Sequence, residues 1–188
     1  MTANFVRSML GDEARALQVQ DGSRAAYAAM ESRADGLGDP LGAREREFIA
    51  ARDSFYMASV TQDGWPYVQH RGGPKGFLKV LDERHIGFAD FRGNRQFMSA
   101  GNVARNDRVA LILVDYPARR RLKLIGHARR EAAEQVLDLM PEDYAAMPWG
   151  AFVIEVAAFD WNCPQHITPR WTAEDLMHMR KDGKWPEV

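Results

Sequence analysis

With 188 residues and 46% hydrophobic content, the chain is long enough to bury one full core, and no apolar run approaches the roughly 20 residues that span a bilayer. Its 25 Lys and Arg against 26 Asp and Glu leave a net charge of -1, which argues against indiscriminate binding of polyanions by the whole surface. The N-terminus lacks a signal-peptide pattern and Cys163 has no second cysteine to pair with, so a cytoplasmic protein without a membrane partner is expected.

Residues Phe5 to Arg33 read as helical: Asp12 can cap a segment Ala14 to Val19, and Asp21-Gly22 separates it from an alanine-rich segment Ser23 to Ser32. After the loop Asp35 to Pro40, Ala43 to Arg52 gives one more helix, with Phe48 and Ile49 on its apolar face. From Ser54 the hydrophobic period becomes two. Phe55 to Thr61 and Trp65 to Arg71 flank Gln62-Asp63-Gly64, a hairpin signal, and Phe77 to Asp82 with His85 to Asp90 form a second antiparallel pair. A short helix, Asn94 to Arg105, follows. Arg108 to Asp115 reads as a strand buried on both sides, and Arg119 to Arg130 as a long strand with Leu122, Leu124, Gly126 and Ala128 on one face. A helix over Ala132 to Met140, a last strand over Ala151 to Trp161 and a helix over Thr172 to Lys181 complete the chain. This pattern predicts a mainly β protein with peripheral helices, built on a six- to seven-stranded antiparallel barrel. One domain over 1–188 is expected, divided into a helical arm at 1–42, a barrel core at 43–162 and a tail with a helix at 163–188.

Two basic, glycine-bearing turns stand out: Arg71-Gly-Gly-Pro-Lys75-Gly76-Phe77 and Phe91-Arg-Gly93-Asn94-Arg95-Gln96. Glycine lets backbone approach a ligand, and the neighbouring cations and amides donate to an anion. Between residues 70 and 130, fourteen basic residues face five acidic ones, +9 there against -10 elsewhere. Such a local excess favours a phosphorylated small molecule, while Arg84, Arg129 and Arg130 are as readily explained as charges that guard strand edges. Nucleic acid is the weaker partner because no exposed aromatic ladder for base stacking is evident. Trp65, Trp149 and Trp185 read as packing residues. His70, His85, His127 and His178 are scattered without ligand spacing, and Cys163-x-x-His166 lacks further ligands, so no metal is expected.

The succession Asp63-Gly64-Trp-Pro-Tyr67, Gly76-Phe-Leu-Lys-Val-Leu-Asp82, Phe88-Ala-Asp90, Gly93-Asn-Arg95, Arg108 to Leu113 and Leu124-Ile-Gly126-His-Ala128 resembles the pyridoxamine 5'-phosphate oxidase-like flavoproteins over roughly residues 45 to 162. The resemblance implies a split β-barrel homodimer with FMN at the subunit interface. It places Gly93, Asn94, Arg95 and Gln96 at the FMN phosphate, Lys75, Gly76 and Phe77 along the isoalloxazine, and Ala89 and Asp90 at the strand end beside the ring. Arg121 falls near the ring's carbonyl edge, Lys123 faces the same cavity by alternation, and Trp161 is counted with the cofactor contacts.

Two departures shape the functional expectation. Pro74 occupies the position of the family's strand-leading arginine, leaving Arg71 or Lys75 to supply that charge. The Arg-x-His substrate motif of the true oxidases has no counterpart, the chain instead carrying Trp161-Asn-Cys-Pro-Gln165-His166. The expectation is an FMN-dependent oxidoreductase acting on a small molecule other than pyridoxamine phosphate, with Gln165 and His166 as substrate contacts over the partner's flavin. Alternatives are a flavin-binding sensor without turnover, or a split barrel holding haem or the deazaflavin F420.

Overall fold

The computed structural model describes residues 1–91, 95–132, 134, 139, 148–161 and 165–183. Three helices lead: α1 (Ala3–Met9), α2 (Asp12–Asp21) and α3 (Arg24–Glu31). Gly22 ends α2 in the left-handed conformation at φ 83°, where a side chain would be strained, as the Asp-Gly pair suggests. Neither α2 nor α3 buries a residue fully. Helix α4 (Ala43–Ala50) does, sinking Phe48 and Ile49 into the core.

Among the described residues seven strands follow: β1 (Ser54–Val60), β2 (Pro66–Gly72), β3 (Lys79–Val80), β4 (His85–Phe91), β5 (Arg108–Asp115), β6 (Arg120–Ala132) and β7 (Pro148–Trp161). Helix α5 (Met98–Arg105) lies between β4 and β5, and α6 (Ala173–Lys181) comes last. The strands form one antiparallel sheet in the order β2-β1-β5-β6-β7-β4-β3. The β1–β2 hairpin closes as its sequence predicts, with Gly64 at φ 85° and the Thr61 amide donating to the Trp65 carbonyl at 2.9 Å.

Curling brings the two ends of this sheet together. Phe55 of β1 meets Phe88 of β4 edge-on at 5.2 Å and stacks on Phe77 at 5.5 Å, although β1 and β4 share no ladder. Phe55, Met57, Phe88, Leu111, Leu113, Leu122, Leu124, Phe152 and Ile154 fill the interior. Each such side chain contributes about 1.5–3 kcal/mol by burial, so the core closes the barrel more than any edge-to-edge bonding does. At Gly126 a bulge bends β6 against β7: a Cβ there would sit 2.2 Å from the Glu155 carbonyl oxygen.

Several boundaries differ from the sequence reading. The stretch Phe77 to Asp82 forms only the two-residue β3, because Phe77 and Leu78 turn into the core. Helix α5 begins at Met98 rather than Asn94. In β5 only the Val109, Leu111 and Leu113 face is buried; Ala110 is exposed and Ile112 half-buried, so the strand is covered on one side. Ala132 ends β6, and most of the expected helix Ala132 to Met140 lies outside the described residues, as do Arg92, Gly93, Asn94 and Cys163.

Candidate functional site

Where the barrel fails to close there is a cavity. Strand β2 is one edge of the sheet. Strand β3 pairs with β4 only at Gly87 and Ile86, leaving residues 88–91 of β4 without a strand neighbour on that side among the described residues. Into the gap between β2 and β4 the inward face of β2 sends Gln69 and Arg71, while β4 sends Asp90 and Phe91. The segment Arg95 to Ala100 and Trp149 complete the wall of a cavity of about 410 Å³, a size that suits a small organic ligand.

An ion pair forms the floor. The Arg71 guanidinium donates from Nη1 to Asp90 Oδ1 at 2.8 Å, and the two side chains keep only 15% and 13% exposure. Arg71 also lies over the rings of Phe152 and Phe88, at 5.3 and 5.5 Å from their centroids, which themselves stack at 5.3 Å. Its Nε is buried and has no hydrogen-bond partner among the described residues. Arg130 approaches the other carboxylate oxygen of Asp90 at 3.8 Å. Beside the pair, Ser99 Oγ, 2% exposed as a residue, donates to Gln69 Oε1 at 2.7 Å. That bond leaves the Gln69 amide nitrogen as the group presented to a ligand.

The opposite wall is the start of α5, where no side-chain cap bond forms among the described residues. Arg95, exposed, stands in the preceding turn with φ 62°, and Phe97 follows with φ 52°. Two left-handed, non-glycine residues in three positions cost about 1–2 kcal/mol each, strain of the kind that accumulates where a loop must hold groups in place.

The structure divides the residues singled out by sequence. Arg71, Asp90, Arg95 and Gln96 line the cavity. Lys75 lies on the surface, paired with Glu174 of α6 at 3.1 Å, a contact that raises its ammonium above the usual value. Gly76 takes φ 79° and donates to the Arg52 carbonyl, Phe77 is core, and Ala89 is buried opposite Ala151 in β7. Arg121 and Lys123 point to the outer side of β6, Lys123 pairing with the buried Asp160 at 3.2 Å. Trp161 packs edge-on against Phe48 of α4 at 4.8 Å and donates from Nε1 to Glu45 at 2.7 Å, away from the cavity. Gln165 and His166 are exposed in a turn and do not line it.

Sequence reading missed Gln69, Phe97 and Ser99, and took Trp149 for a packing residue. Trp149 is 43% exposed and sits at the cavity rim against Phe97. Gln69 was within reach, since it shares a strand face with Arg71 two residues away. Trp149 carried no such local signal.

An antiparallel barrel open between two strands, with the start of a helix lining the opening, defines a split-barrel protein. The sequence profile of pyridoxamine 5'-phosphate oxidase matches residues 41–160, and the chain belongs to that family. Among solved structures, a candidate pyridoxamine 5'-phosphate oxidase from Lactobacillus delbrueckii is 20% identical, with a TM-score of 0.50 over 64% of this chain and 93% of its own. HupZ of Group A Streptococcus is 12% identical, with a TM-score of 0.50 over 70% of this chain and 100% of its own. An FMN-binding protein from Syntrophomonas wolfei is 10% identical, with a TM-score of 0.47 over 77% and 97%. No curated protein matches the sequence. Among the described residues no helix is long and apolar enough to cross a membrane, and no cluster of three metal-ligating side chains occurs.

Proposed function

We propose that the chain is an FMN-binding flavoprotein and an oxidoreductase for a small molecule, with the β2–β4 cavity as its flavin site. The observation that carries this reading is the juxtaposition of Arg95 and the start of α5 with the Arg71–Asp90 floor in one cavity. The donor set suits the cofactor. Arg95 and the first amides of α5 would hold the phosphate, since guanidinium and helix amides both donate to an anion. The Gln69 amide and the buried Arg71 Nε, which lacks a partner among the described residues, would bond to the polar edge of the ring.

When bound, the flavin supplies the redox chemistry, accepting and passing on two electrons. The chain's own residues bind, orient and shield it. Phe88 and Phe152 hold the Arg71 guanidinium in one orientation, and Ser99 does the same for Gln69. A cation held in place beside a ring that gains negative charge favours its reduced form, so Arg71 also serves to tune the potential.

The family's arrangement of flavin between two subunits extends this reading to a homodimer. Its support here is the outer face of β1, β2, β5 and β6, where Tyr56, Val68, Ala110, Ile112 and Ile125 form an apolar surface with Phe5 and Met9 at its edge. Tyr56 and Val68 are 40% and 60% exposed, a state that a second copy would relieve. Gln165 and His166 would then contact substrate in the partner's site.

The test is the absorption spectrum of the freshly purified protein, followed by identification of the molecule that mild denaturation releases. Two flavin bands with FMN released support the proposal, and a Soret band or a colourless protein that refuses FMN overturns it. Light scattering that finds a monomer at micromolar concentration overturns the dimer alone. A reduced flavin that only oxygen reoxidises would leave a binding protein without turnover.

A further inference from the structure

The cavity has two zones. Its polar groups lie deep, Ser99 at 2%, Asp90 at 13% and Arg71 at 15% exposure, whereas Phe97 and Trp149 stand at the rim at 46% and 43%. The two rings touch, with centroids 5.4 Å apart and planes tilted by 40°. They come from distant parts of the chain, Phe97 from the turn before α5 and Trp149 from the start of β7. Phe97 has a left-handed backbone, φ 52°, and its ring is exposed instead of joining the core. Arg130 joins the zones: its guanidinium lies 5.8 Å from the Trp149 ring centroid, and its Nε is 3.8 Å from Asp90.

We propose that Phe97, Trp149 and Arg130 form a second subsite, at the rim of the flavin cavity, that takes a planar aromatic carboxylate as the exchangeable ligand. This rests on the flavin reading, which assigns the deep zone to the cofactor. Rings held in place stack on a planar ligand at little cost in side-chain entropy, and they do so for any flat π-face. Charge narrows the class. Among the described residues Arg71 and Arg130 share one carboxylate, Asp90, so these three groups carry one net positive charge, which a single ligand carboxylate neutralises. The Arg130 side chain is 34% exposed, and its guanidinium offers the planar fork that a carboxylate fits.

The test uses calorimetric titration of the protein as purified, with its flavin content recorded. The probes are 2-naphthoate, its neutral amide 2-naphthamide, and its saturated analogue decahydro-2-naphthoate. The wild type is expected to bind 2-naphthoate about tenfold or more tightly than the saturated analogue, the range that ring stacking gives. Trp149→Ala should lose that preference, and Trp149→Phe should retain it to within about threefold. Arg130→Gln should weaken 2-naphthoate and leave 2-naphthamide unmoved. Equal binding of 2-naphthoate by the wild type and Trp149→Ala, or none by the wild type, overturns the subsite. If Trp149→Ala instead loses FMN and keeps 2-naphthoate, the rings hold the cofactor and the subsite falls while the flavin reading stands. Stacking as expected in a protein that takes no FMN overturns the flavin reading and leaves the rim site.

Discussion

Replacing Arg71 with methionine strands a carboxylate. Asp90 is 13% exposed, and its 2.8 Å bond to Arg71 is the close one; Arg130 at 3.8 Å remains as a weak substitute. Removing one partner of a fully buried pair costs about 3–5 kcal/mol. The residual exposure and Arg130 place this case at the lower end, about 3 kcal/mol, because methionine still covers Phe88 and Phe152. For a domain of this size that corresponds to a fall in Tm of about 6–12 °C. The double variant Arg71→Met/Asp90→Asn removes both charges and should recover to within about 1 kcal/mol of wild type. Urea denaturation of both single variants and the double variant gives the coupling energy. A double variant no more stable than Arg71→Met would show that an unpaired Asp90 charge is not the source of the loss, and the account of the cavity floor would fail.

Arg95 is exposed and its change to alanine should leave the melting temperature in place while weakening FMN by about 10- to 100-fold, the worth of a charge-assisted bond; fluorescence titration that finds equal affinity refutes the phosphate assignment. Gly126→Ala puts a Cβ 2.2 Å from the backbone oxygen of Glu155, which cannot swing aside, and should cost about 2–3 kcal/mol or more. A thermal melt matching wild type would refute the bulge. The Asp175 carboxylate accepts from the Thr172 amide and hydroxyl at the start of α6, bonds that hold it below the usual carboxylate range, the amide contributing most. Its contribution is therefore present above the unfolded value of about 3.9 and is lost as pH falls through the depressed folded value. The protection of the α6 amides, their exchange taken relative to the intrinsic rate at each pH, should fall in acid in the wild type, and Asp175→Asn should flatten that dependence.

Local pattern made much of the scaffold legible. Alternation marked which face of β6 turns inward, Asp63-Gly64 marked the first hairpin, and Phe48 with Ile49 marked the buried side of α4, whereas the unbroken apolar run of β5 hid which of its faces is covered. The order of short motifs was enough to place the chain in its family. Periodicity, however, reports which side of an element a residue occupies and is silent about what lies opposite. Nothing in the spacing showed that Arg71 would meet Asp90, since β2 and β4 share no ladder and face one another only because the sheet curls around the aromatic core. The same curl carried Trp149 to the rim, and the packing of α4 drew Trp161 away to Glu45. Residue types and strand faces were determined by sequence; the pairing of charges and rings across the split was decided by closure of the barrel, because that depends on the volume of the core filling it and not on any neighbouring residue.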